Sequence, residues 1–415
     1  MGAFYLFSYW FGFAILCILL LIASAFLGYC LYVKYIHLKY DHIPGPPRDR
    51  FLGSGLVSAT NHEQWYKQRR IMDPAFSTLY LRGLMGTFNE RAENLMDELT
   101  KLADSKKEAK MHQLLSRVTL DVITKVAFGM DLDLVNNDSP FLKAIETCLK
   151  GMVANLRDLF FQVLRIIRIS EFLRTTGEDW ISKRRTAVQN GEDVPKDILT
   201  QIIKSAGQGC DTNTILQNCN TIFSLSGQET TASQLAFCIT ELARNPDVME
   251  KAQKEVDSVL GMKQEISYDD LGELTYLGQV LKETLRLYPS APGLSREVSS
   301  DITIAGYDIP GGTIQMFDTY VNGRMDKFFK DPLTFDPDRF HPDATKPYYC
   351  YFPFALGARS CLGQKFAQME AKVVMAKLLQ RFDFSLVPGQ SFDILDTGTL
   401  RPKSGVVCNI KHRDQ

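Results

Sequence analysis

One cysteine lies in a ten-residue stretch whose residue types favour metal ligation. The stretch reads Phe354-Ala-Leu-Gly357-Ala-Arg359-Ser-Cys361-Leu-Gly363, and the helical pattern Lys365 to Leu379 follows it. At a helix N-terminus a thiolate is stabilised by free N–H groups and by the positive end of the helix dipole. Gly357 permits a tight turn that aims N–H groups at the sulfur, Gly363 leaves room for a flat group, and Arg359 supplies a cation. Together they indicate haem with a cysteine ligand, whereas Cys361 alone would more often be a small buried hydrophobe.

A second set of polar residues lies in the helical pattern Asn213 to Arg244. It reads Ser226-Gly-Gln-Glu229-Thr230-Thr231. A glycine and adjacent threonines weaken a helix interior, so a local opening would free a carbonyl and admit a water. Polar residues in a helix are otherwise often just solvated.

A third set is a pair of opposite charges in the predicted helix Tyr276 to Tyr288, which Pro289 ends. Glu283 and Arg286 are three residues apart, so both charges lie on one face of the helix. Such a pair is usually an exposed ion pair of little energetic weight.

Taken together, these stretches resemble the sequence motifs of the cytochrome P-450 superfamily. Phe354 to Gly363 is similar to its haem-binding signature. Ser226 to Thr231 resembles its oxygen-activation motif, with Ser226 where alanine or glycine is usual. The charged pair, with Arg339 in the later Phe335 to Phe340 stretch, resembles its buried Glu-x-x-Arg clamp. The resemblance covers the chain from about residue 51 to its C-terminus.

The resemblance implies a haem-thiolate monooxygenase that binds the iron of haem b through Cys361. Glu229 and Thr230 would manage the protons that split the O–O bond, because an acid beside a hydroxyl is the pair that this chemistry needs. A carboxylate between two guanidinium groups would be a stiff structural clamp for the loop before the cysteine, made by Glu283, Arg286 and Arg339. The other implied contacts to the cofactor come from Trp65, Arg69, Arg296, Arg359, Phe354, Gly357 and Gly363.

The helical periodicity and the resemblance predict a mainly α fold with a small β region, a cytochrome P-450 fold that is incomplete near its N-terminus. Ile302 to Ile304 and Thr313 to Met316 alternate like the two strands of a hairpin around Asp308 to Gly312. The tail, Phe384 to Ile410, is strand-rich, with a turn at Thr397 to Thr399 that would close the substrate pocket. Further helices are predicted over His62 to Met72, Leu81 to Ala103, Leu114 to Phe128, Phe141 to Leu156 and Leu159 to Arg185.

Composition and charge narrow the class of protein. The 415 residues are 45% apolar and carry a net charge of −1, which argues against nucleic acid as a partner. Nine cysteines without a C-x-x-C pair argue against a zinc ribbon and favour a reducing compartment. No flavin or nicotinamide motif of the G-x-G-x-x-G type is present. By resemblance, electrons come from NADPH through a membrane-bound reductase. Lys67, Arg70 and Lys365 are candidates for its basic docking face, although ordinary solvated charge explains them equally well.

The N-terminal residues Phe4 to Val33 contain no charged side chain, which predicts a transmembrane helix. The cations that follow, from Lys34 to Arg50, place the rest of the chain in the cytosol by the positive-inside rule. We expect a signal anchor over residues 1–34, a proline-rich linker over residues 35–50 and a haem-thiolate domain over residues 51–415. The resemblance implies a single-pass protein of the endoplasmic reticulum membrane.

Only seventeen residues separate Pro47 from Trp65, where the superfamily has a long stretch of helices and strands. A truncated isoform or a shortened gene model would account for this difference. The strands at Ile302 to Met316 would then lack partners and present an open, partly apolar edge. One alternative is therefore an inactive, membrane-anchored helical protein. Another is an oxygen-independent haem-thiolate isomerase or dehydratase, against which the Glu229–Thr230 pair argues.

Three stretches look most like those of the cholesterol 24-hydroxylases within the superfamily. They are Trp65 to Arg70, Arg339 to Cys361 and Gln364 to Arg381. This narrower resemblance implies an apolar small-molecule substrate, namely the side chain of a sterol.

Overall fold

The computed structural model describes residues 21, 24–29, 31–32, 59, 61–137, 139–140, 163–206, 227–345 and 349–413. The chain divides into two compact units, residues 1–54 and residues 55–415. In the first unit the described residues are helical. Across all the described ranges, no helix is long and apolar enough to span a bilayer. The predicted transmembrane segment 4–33 lies largely outside these ranges, and the predicted helix Phe141 to Leu156 lies entirely outside them.

Helices make up most of the larger unit, which confirms the prediction of a mainly helical fold. In chain order the helices are α1 (His62–Met72), α2 (Thr78–Arg82), α3 (Met85–Asp104), α4 (Met111–Phe128), α5 (Val163–Gln189), α6 (Ile198–Ala206), α7 (Glu229–Arg244), α8 (Pro246–Leu260), α9 (Tyr268–Glu273), α10 (Thr275–Leu287), α11 (Thr319–Asn322) and α12 (Gln364–Arg381). Three short 3₁₀ turns, Asp73–Phe76, Pro337–Phe340 and Gly357–Arg359, occur between them.

Local capping signals explain why several helix ends were predictable. α1 begins at the predicted residue because the Asn61 side chain accepts a hydrogen bond from the Gln64 N–H. α4 ends at Gly129, whose φ of 68° is left-handed and therefore favours glycine. Where the cap is encoded in one or two residues, the sequence alone locates the helix end.

One predicted helix is interrupted. The continuous helix expected from Leu81 to Ala103 is instead α2 and α3, with a break at Gly83 and Leu84. The N–H groups of these two residues donate to carbonyl oxygens three positions earlier, and this tighter pattern ends α2. Glycine is a weak helix former, so the chain turns there at little cost.

The two helices that carry the predicted site residues form the centre of the domain. Every residue of α7 from Thr231 to Leu242 is buried, so the helix has no solvent-facing stripe. α7 packs against α4, α10 and α12. α12, which follows the Cys361 loop, is also largely buried. The predicted helix Asn213 to Arg244 is described only from residue 227 onward, and its helical part there begins at Glu229.

The described strands form four small antiparallel sheets. The strands are β1 (Ala109–Lys110), β2 (Gly293–Glu297), β3 (Ile302–Ile304), β4 (Tyr307–Ile309), β5 (Ile314–Asp318), β6 (Phe382–Leu386), β7 (Ile394–Asp396), β8 (Leu400–Pro402) and β9 (Val407–His412). The sheet orders are β1-β9-β6, β2-β5, β3-β4 and β7-β8. The predicted turn at Thr397 to Thr399 joins β7 to β8, and the strand-rich tail is confirmed.

The predicted pairing of the hairpin around Asp308 to Gly312 is wrong. β3 pairs with β4, and β5 pairs with the earlier strand β2. Ala305 and Gly306 lie between β3 and β4 with φ values of 51° and 86°. Two adjacent residues at positive φ make the tight turn that suits the twist of a hairpin, so the chain reverses there first.

The β2–β5 sheet has an open, partly apolar edge, as predicted. Among the described residues neither strand pairs with a third one. Ile314 and Met316 on β5 are 68% and 73% exposed, and Tyr307 on the neighbouring hairpin is 76% exposed. Apolar side chains beside unpaired strand edges favour association with other strands.

Candidate functional site

The Cys361 loop is a tight turn that leads directly into α12. Gly357 adopts a φ of 74° at the start of the Gly357–Arg359 turn, a conformation that favours glycine. The Cys361 N–H donates to the Phe354 carbonyl oxygen at 2.8 Å, and the Ser360 N–H donates to the Gly357 carbonyl oxygen at 3.0 Å. These two bonds fix the backbone that leads up to the sulfur.

The environment of the sulfur differs in two respects from the sequence prediction. The backbone N–H that hydrogen-bonds the Cys361 sulfur belongs to Gly363, whereas Gly357 shapes the turn. Burial raises the pKa of the Cys361 thiol, and the Gly363 N–H and the Arg69 charge oppose that rise. Desolvation therefore outweighs the helix terminus that we expected to favour the thiolate.

Space beside the sulfur fits a flat cofactor. Cys361 is exposed, although the surrounding protein partly desolvates its sulfur. A Cβ atom built on Gly357 or on Gly363 would meet no atom within 4 Å. A soft sulfur donor beside two glycines with open space above them is the donor set that haem iron accepts from a protein cysteine.

Two of the predicted propionate-binding residues stack on each other near the loop. The Arg359 guanidinium carbon lies 4.3 Å from the centroid of the Trp65 ring, and Trp65 is buried. Arg359 also donates to the Ala59 carbonyl oxygen at 2.7 Å. Arg69, on the same helix as Trp65, donates to the Ser360 carbonyl oxygen at 2.8 Å and pairs with Asp73 at 2.6 Å. α1 is thus tied directly to the cysteine loop.

A further predicted cation lies close to Arg359. Burial and the positive charge of Arg296 together lower the pKa of Arg359. Arg296 projects from β2 and donates to its neighbouring Ser295 carbonyl oxygen at 2.8 Å. Two guanidinium groups that repel each other in a partly desolvated site favour a bound anion, and a haem propionate supplies one.

The structure brings the three clamp residues together. Arg286 binds both oxygens of Glu283 at 2.7 Å, and both side chains are fully buried. Arg339 donates to Glu283 Oε1 at 3.3 Å. Arg286 also donates to the carbonyl oxygens of Pro332 at 2.7 Å and Thr334 at 3.1 Å. Because every group is hydrogen-bonded, the clamp fastens α10 to the segment that precedes the Cys361 loop.

Gly323 lies directly against the backbone of the clamp residue Arg286. A Cβ at this position would lie 2.3 Å from the Arg286 carbonyl oxygen. We expect Gly323→Ala to destabilise the domain by roughly 1–3 kcal/mol, since the backbone must move to relieve the overlap. Thermal unfolding of the haem-loaded protein measures the loss. Gly272→Ala is the matched control, because a Cβ there meets no atom within 4 Å, and an equal shift in both variants would contradict the interpretation.

Glu229 and Thr230 lie at the start of α7. Glu229 is buried, whereas Thr230 is half-buried. The Ser290 hydroxyl, which follows α10, donates to the Thr230 carbonyl oxygen at 2.7 Å. The Ser290 carbonyl oxygen accepts a hydrogen bond from the Leu400 N–H of β8 at 2.9 Å. The acid and the hydroxyl are therefore held where α7, the end of α10 and the C-terminal strands meet.

Some residues around Glu229 and Thr230 were not predicted from the sequence. His112 of α4 and Arg401 of β8 each approach Glu229 Oε1 to 3.8 Å. Glu370 of α12 is buried close to Thr231, and burial raises the pKa of its carboxyl well above the usual value. These residues come from distant parts of the chain and belong to no local motif, so no sequence signal identified them.

The Cys361 loop, the neighbouring side chains of Arg296 and Arg359, and the helical core are typical of haem-thiolate proteins. The chain matches the cytochrome P450 family model over residues 40–409, and it belongs to this family. It is therefore a cytochrome P450 monooxygenase, and the cofactor typical of the family is haem with a thiolate ligand. Here Cys361 is the residue that fits the ligand position.

Relatives from several animals share this similarity over most of their length. Cytochrome P450 3A12 of Canis lupus familiaris is 30% identical over 384 residues, which cover 86% of this chain and 76% of the relative. Cytochrome P450 4d2 of Drosophila melanogaster is 29% identical over 398 residues, covering 88% and 78% respectively. Cytochrome P450 3A5 of Homo sapiens is 30% identical over 383 residues, covering 86% and 76%.

Proposed function

We propose that this monooxygenase hydroxylates the side chain of a sterol, as cholesterol 24-hydroxylases do. The support for this substrate is the likeness of the stretches Trp65 to Arg70, Arg339 to Cys361 and Gln364 to Arg381 to those enzymes. The observation that carries the general activity is the Cys361 loop, with the Gly363 N–H on the sulfur and the Arg296–Arg359 pair beside it.

The proposed roles of the site residues follow from their contacts. Cys361 supplies the sulfur ligand, and Phe354, Gly357 and Gly363 shape the loop around it. Arg69, Arg296 and Arg359 would neutralise the propionates, and the Trp65 indole N–H would donate a hydrogen bond to them. Haem with a thiolate ligand supplies the oxidising chemistry when it is bound. Overall, the reaction consumes the substrate, O₂, NADPH and one proton, and it yields the alcohol, water and NADP⁺.

Glu229 and Thr230 are proposed to hold and pass the protons that the reduction of O₂ would need. The Thr230 hydroxyl passes a proton from its Oγ1 atom, and the Glu229 carboxyl replaces that proton from the solvent side. Burial of Glu229 keeps bulk water away from the reaction, so protons arrive through these groups. These two roles require a half-buried hydroxyl next to a buried acid. Thr230 and Glu229 provide that arrangement at the start of α7.

Anchoring and electron supply complete the proposal. Residues 1–34 form a transmembrane anchor in the endoplasmic reticulum, residues 35–50 a linker and residues 51–415 the catalytic domain, which faces the cytosol. An NADPH-dependent reductase supplies the electrons and docks on a basic face that includes Lys67, Arg70 and Lys365. Lys67 is exposed and pairs with Glu63 at 2.7 Å, while Lys365 donates to Thr78 Oγ1 at 2.6 Å. Both side chains lie on the protein surface, Lys67 on α1 and Lys365 on α12.

A sterol-binding and turnover experiment tests the proposal. Cholesterol is titrated into the haem-loaded full chain, the change in the haem spectrum is recorded, and side-chain hydroxylation is then measured with NADPH and reductase. We expect saturable binding and a hydroxylated sterol. A normal haem spectrum with neither sterol binding nor product would contradict the substrate class.

Thr230→Ala tests the proton-delivery step. We expect sterol binding to be retained and product formed per NADPH to fall by about tenfold or more, because the hydroxyl that passes the proton is lost. Thr240→Ala is the matched control, since Thr240 lies on the same helix and, in the part of the chain that the structure describes, its hydroxyl bonds only to the Ala236 carbonyl oxygen at 3.0 Å. Equal coupling in both variants would remove Thr230 from the mechanism.

A further inference from the structure

The strand β5 has one backbone edge that meets no other strand within the described ranges, while its other edge pairs with β2. The Val298 N–H donates to the Thr313 carbonyl oxygen at 2.9 Å, next to the paired residues of this ladder. Hydrogen-bonded pairs recur at every second residue of an antiparallel ladder, so Gln315 also turns its backbone groups toward β2. The N–H and C=O groups of Ile314 and Met316 therefore point away from β2, toward the free edge.

The side chains at this free edge are apolar and exposed. Ile314 is 68% exposed, Met316 is 73% exposed and Phe317 is 39% exposed. The strand contains no lysine, arginine or proline, and its one charged residue, Asp318, is the last one. Charged side chains and prolines are the usual means by which edge strands avoid pairing with other strands. The β5 edge lacks that protection.

The opposite edge of the same sheet, on β2, is less suited to a further strand. By the same alternation the backbone groups of Ser295 point away from β5. Its carbonyl oxygen already accepts a hydrogen bond from Arg296 Nη1 at 2.8 Å. Arg296 and Glu297 also place two charged side chains on this strand. An added strand would meet charges and an occupied acceptor there, so β5 is the edge that favours pairing.

The sequence of β5 is complementary to itself in an antiparallel register centred on Gln315. In that register Ile314 of one copy lies opposite Met316 of a second copy, and Met316 of the first lies opposite Ile314 of the second. The backbone groups of both residues point outward, so these are hydrogen-bonded pairs, and their apolar side chains meet on one face. The two Gln315 side chains lie opposite each other and can donate and accept amide hydrogen bonds.

A register centred on a neighbouring residue is less favourable. If Met316 lay opposite itself, Ile314 would face the Asp318 carboxylate of the second copy. This carboxylate also accepts a hydrogen bond from the Val321 N–H at 2.8 Å, which caps α11. The register centred on Gln315 leaves Asp318 outside the apolar pairs, so it keeps this cap and buries no charge.

We propose that the partner of the β5 edge is a second copy of this chain. The two β2–β5 sheets then form one sheet in the order β2-β5-β5-β2, with a two-fold axis between the two Gln315 residues. Each contact in such an interface occurs twice, so the pairing closes on itself and stops at a dimer. Ile314 and Met316 of both copies form one apolar cluster on the face of the joined sheet.

Met316→Lys tests this dimer. Sedimentation velocity of the haem-loaded full chain in detergent, over a range of protein concentrations, measures the association. We expect a dimer in the wild type and a dissociation constant higher by roughly tenfold or more in Met316→Lys, because an ammonium group would face Ile314 of the second copy. Met262→Lys makes the same change at a methionine that is 74% exposed on the turn after α8, and it should dimerise like the wild type. A monomeric wild type, or equal dissociation constants for these two variants, would overturn the proposal.

Engineered cysteines test the register. Gln315→Cys places two thiols in a pair without backbone hydrogen bonds, whose Cα atoms lie about 4.5 Å apart, within the range of a disulfide. We expect mild oxidation to link two copies of Gln315→Cys covalently. Ile314→Cys and Met316→Cys should link efficiently only when the two variants are mixed, because each faces the other residue. The wild type, with its nine native cysteines, gives the background.

The cross-link keeps the proposal falsifiable if Met316→Lys does not retain haem. Ile314→Cys alone linking as fast as Gln315→Cys would show a different register and overturn this pairing. If Gln315→Cys links no faster than the wild-type background, lipid or another segment of the same chain covers the edge, and the second copy is not its partner. Haem content is measured in every variant, so that a loss of folding is distinguished from a loss of association.

Discussion

Glu283→Gln is expected to prevent haem incorporation and to leave little folded protein. The substitution replaces the carboxylate with a neutral amide, and Arg286 then stays buried with its charge uncompensated. Breaking a buried ion pair by removing one charge costs about 3–5 kcal/mol. The loss here includes the bonds from Arg339 and from the Asp336 N–H, which lies 2.8 Å from Glu283 Oε1. This is a large fraction of the stability of an ordinary domain.

The measurement is the molar ratio of haem to purified protein, together with thermal unfolding. Glu250→Gln makes the same acid-to-amide change on the exposed face of α8, where Glu250 pairs with Lys254, and it should leave both quantities unchanged. If Glu283→Gln binds haem and unfolds like this control, the clamp does not hold the cysteine loop in place.

Cys361→Ser is expected to abolish hydroxylation even where the protein folds. A serine hydroxyl is a harder and much less acidic donor than a thiol, so it does not replace a thiolate on haem iron. The Gly363 N–H and the Arg69 charge that face the sulfur would then stabilise no anion. We expect loss of product by several orders of magnitude, since the thiolate favours O–O cleavage. Electron paramagnetic resonance of the oxidised protein reports the change of iron ligand.

Cys350→Ser is the matched control for this variant. Cys350 precedes Cys361 by eleven positions and is partly buried. It should keep the resonance signal and the turnover of the wild type. Persistence of a thiolate-type signal in Cys361→Ser, or its loss in Cys350→Ser, would assign the ligand to a different cysteine.

Much of the fold was predictable because its signals are local. The Asn61 cap starts α1, and the left-handed Gly129 ends α4, where the sequence indicated. The strand pairing was not predictable in the same way. The choice between partners for Ile302 to Ile304 depended on the backbone at Ala305 and Gly306, and an Ala–Gly pair is a weaker turn signal than the Pro–Gly–Gly run that follows.

The candidate site was likewise predictable where its signals are local and unpredictable where its residues come from distant parts of the chain. Cys361, Arg359 and the Glu283–Arg286 pair lie in short motifs, so their types and spacing identified them before the structure did. The surroundings of Glu229 come from α4 and β8, more than a hundred residues away in either direction. Only the packing of helices and sheets brings His112 and Arg401 to this carboxylate, and such neighbours have no sequence pattern of their own. Desolvation is equally non-local, which is why the pKa of the Cys361 thiol moves against the expectation from the helix terminus.

The reduced carbon monoxide difference spectrum of the purified full chain tests the central claim most directly. The claim is that Cys361, held by its loop and by the clamp, ligates haem iron through a thiolate. The account predicts a Soret band at the position of thiolate-ligated haem, in an amount that matches the protein. A protein that binds no haem, or one whose band lies at the position of haem without a thiolate ligand, would contradict it.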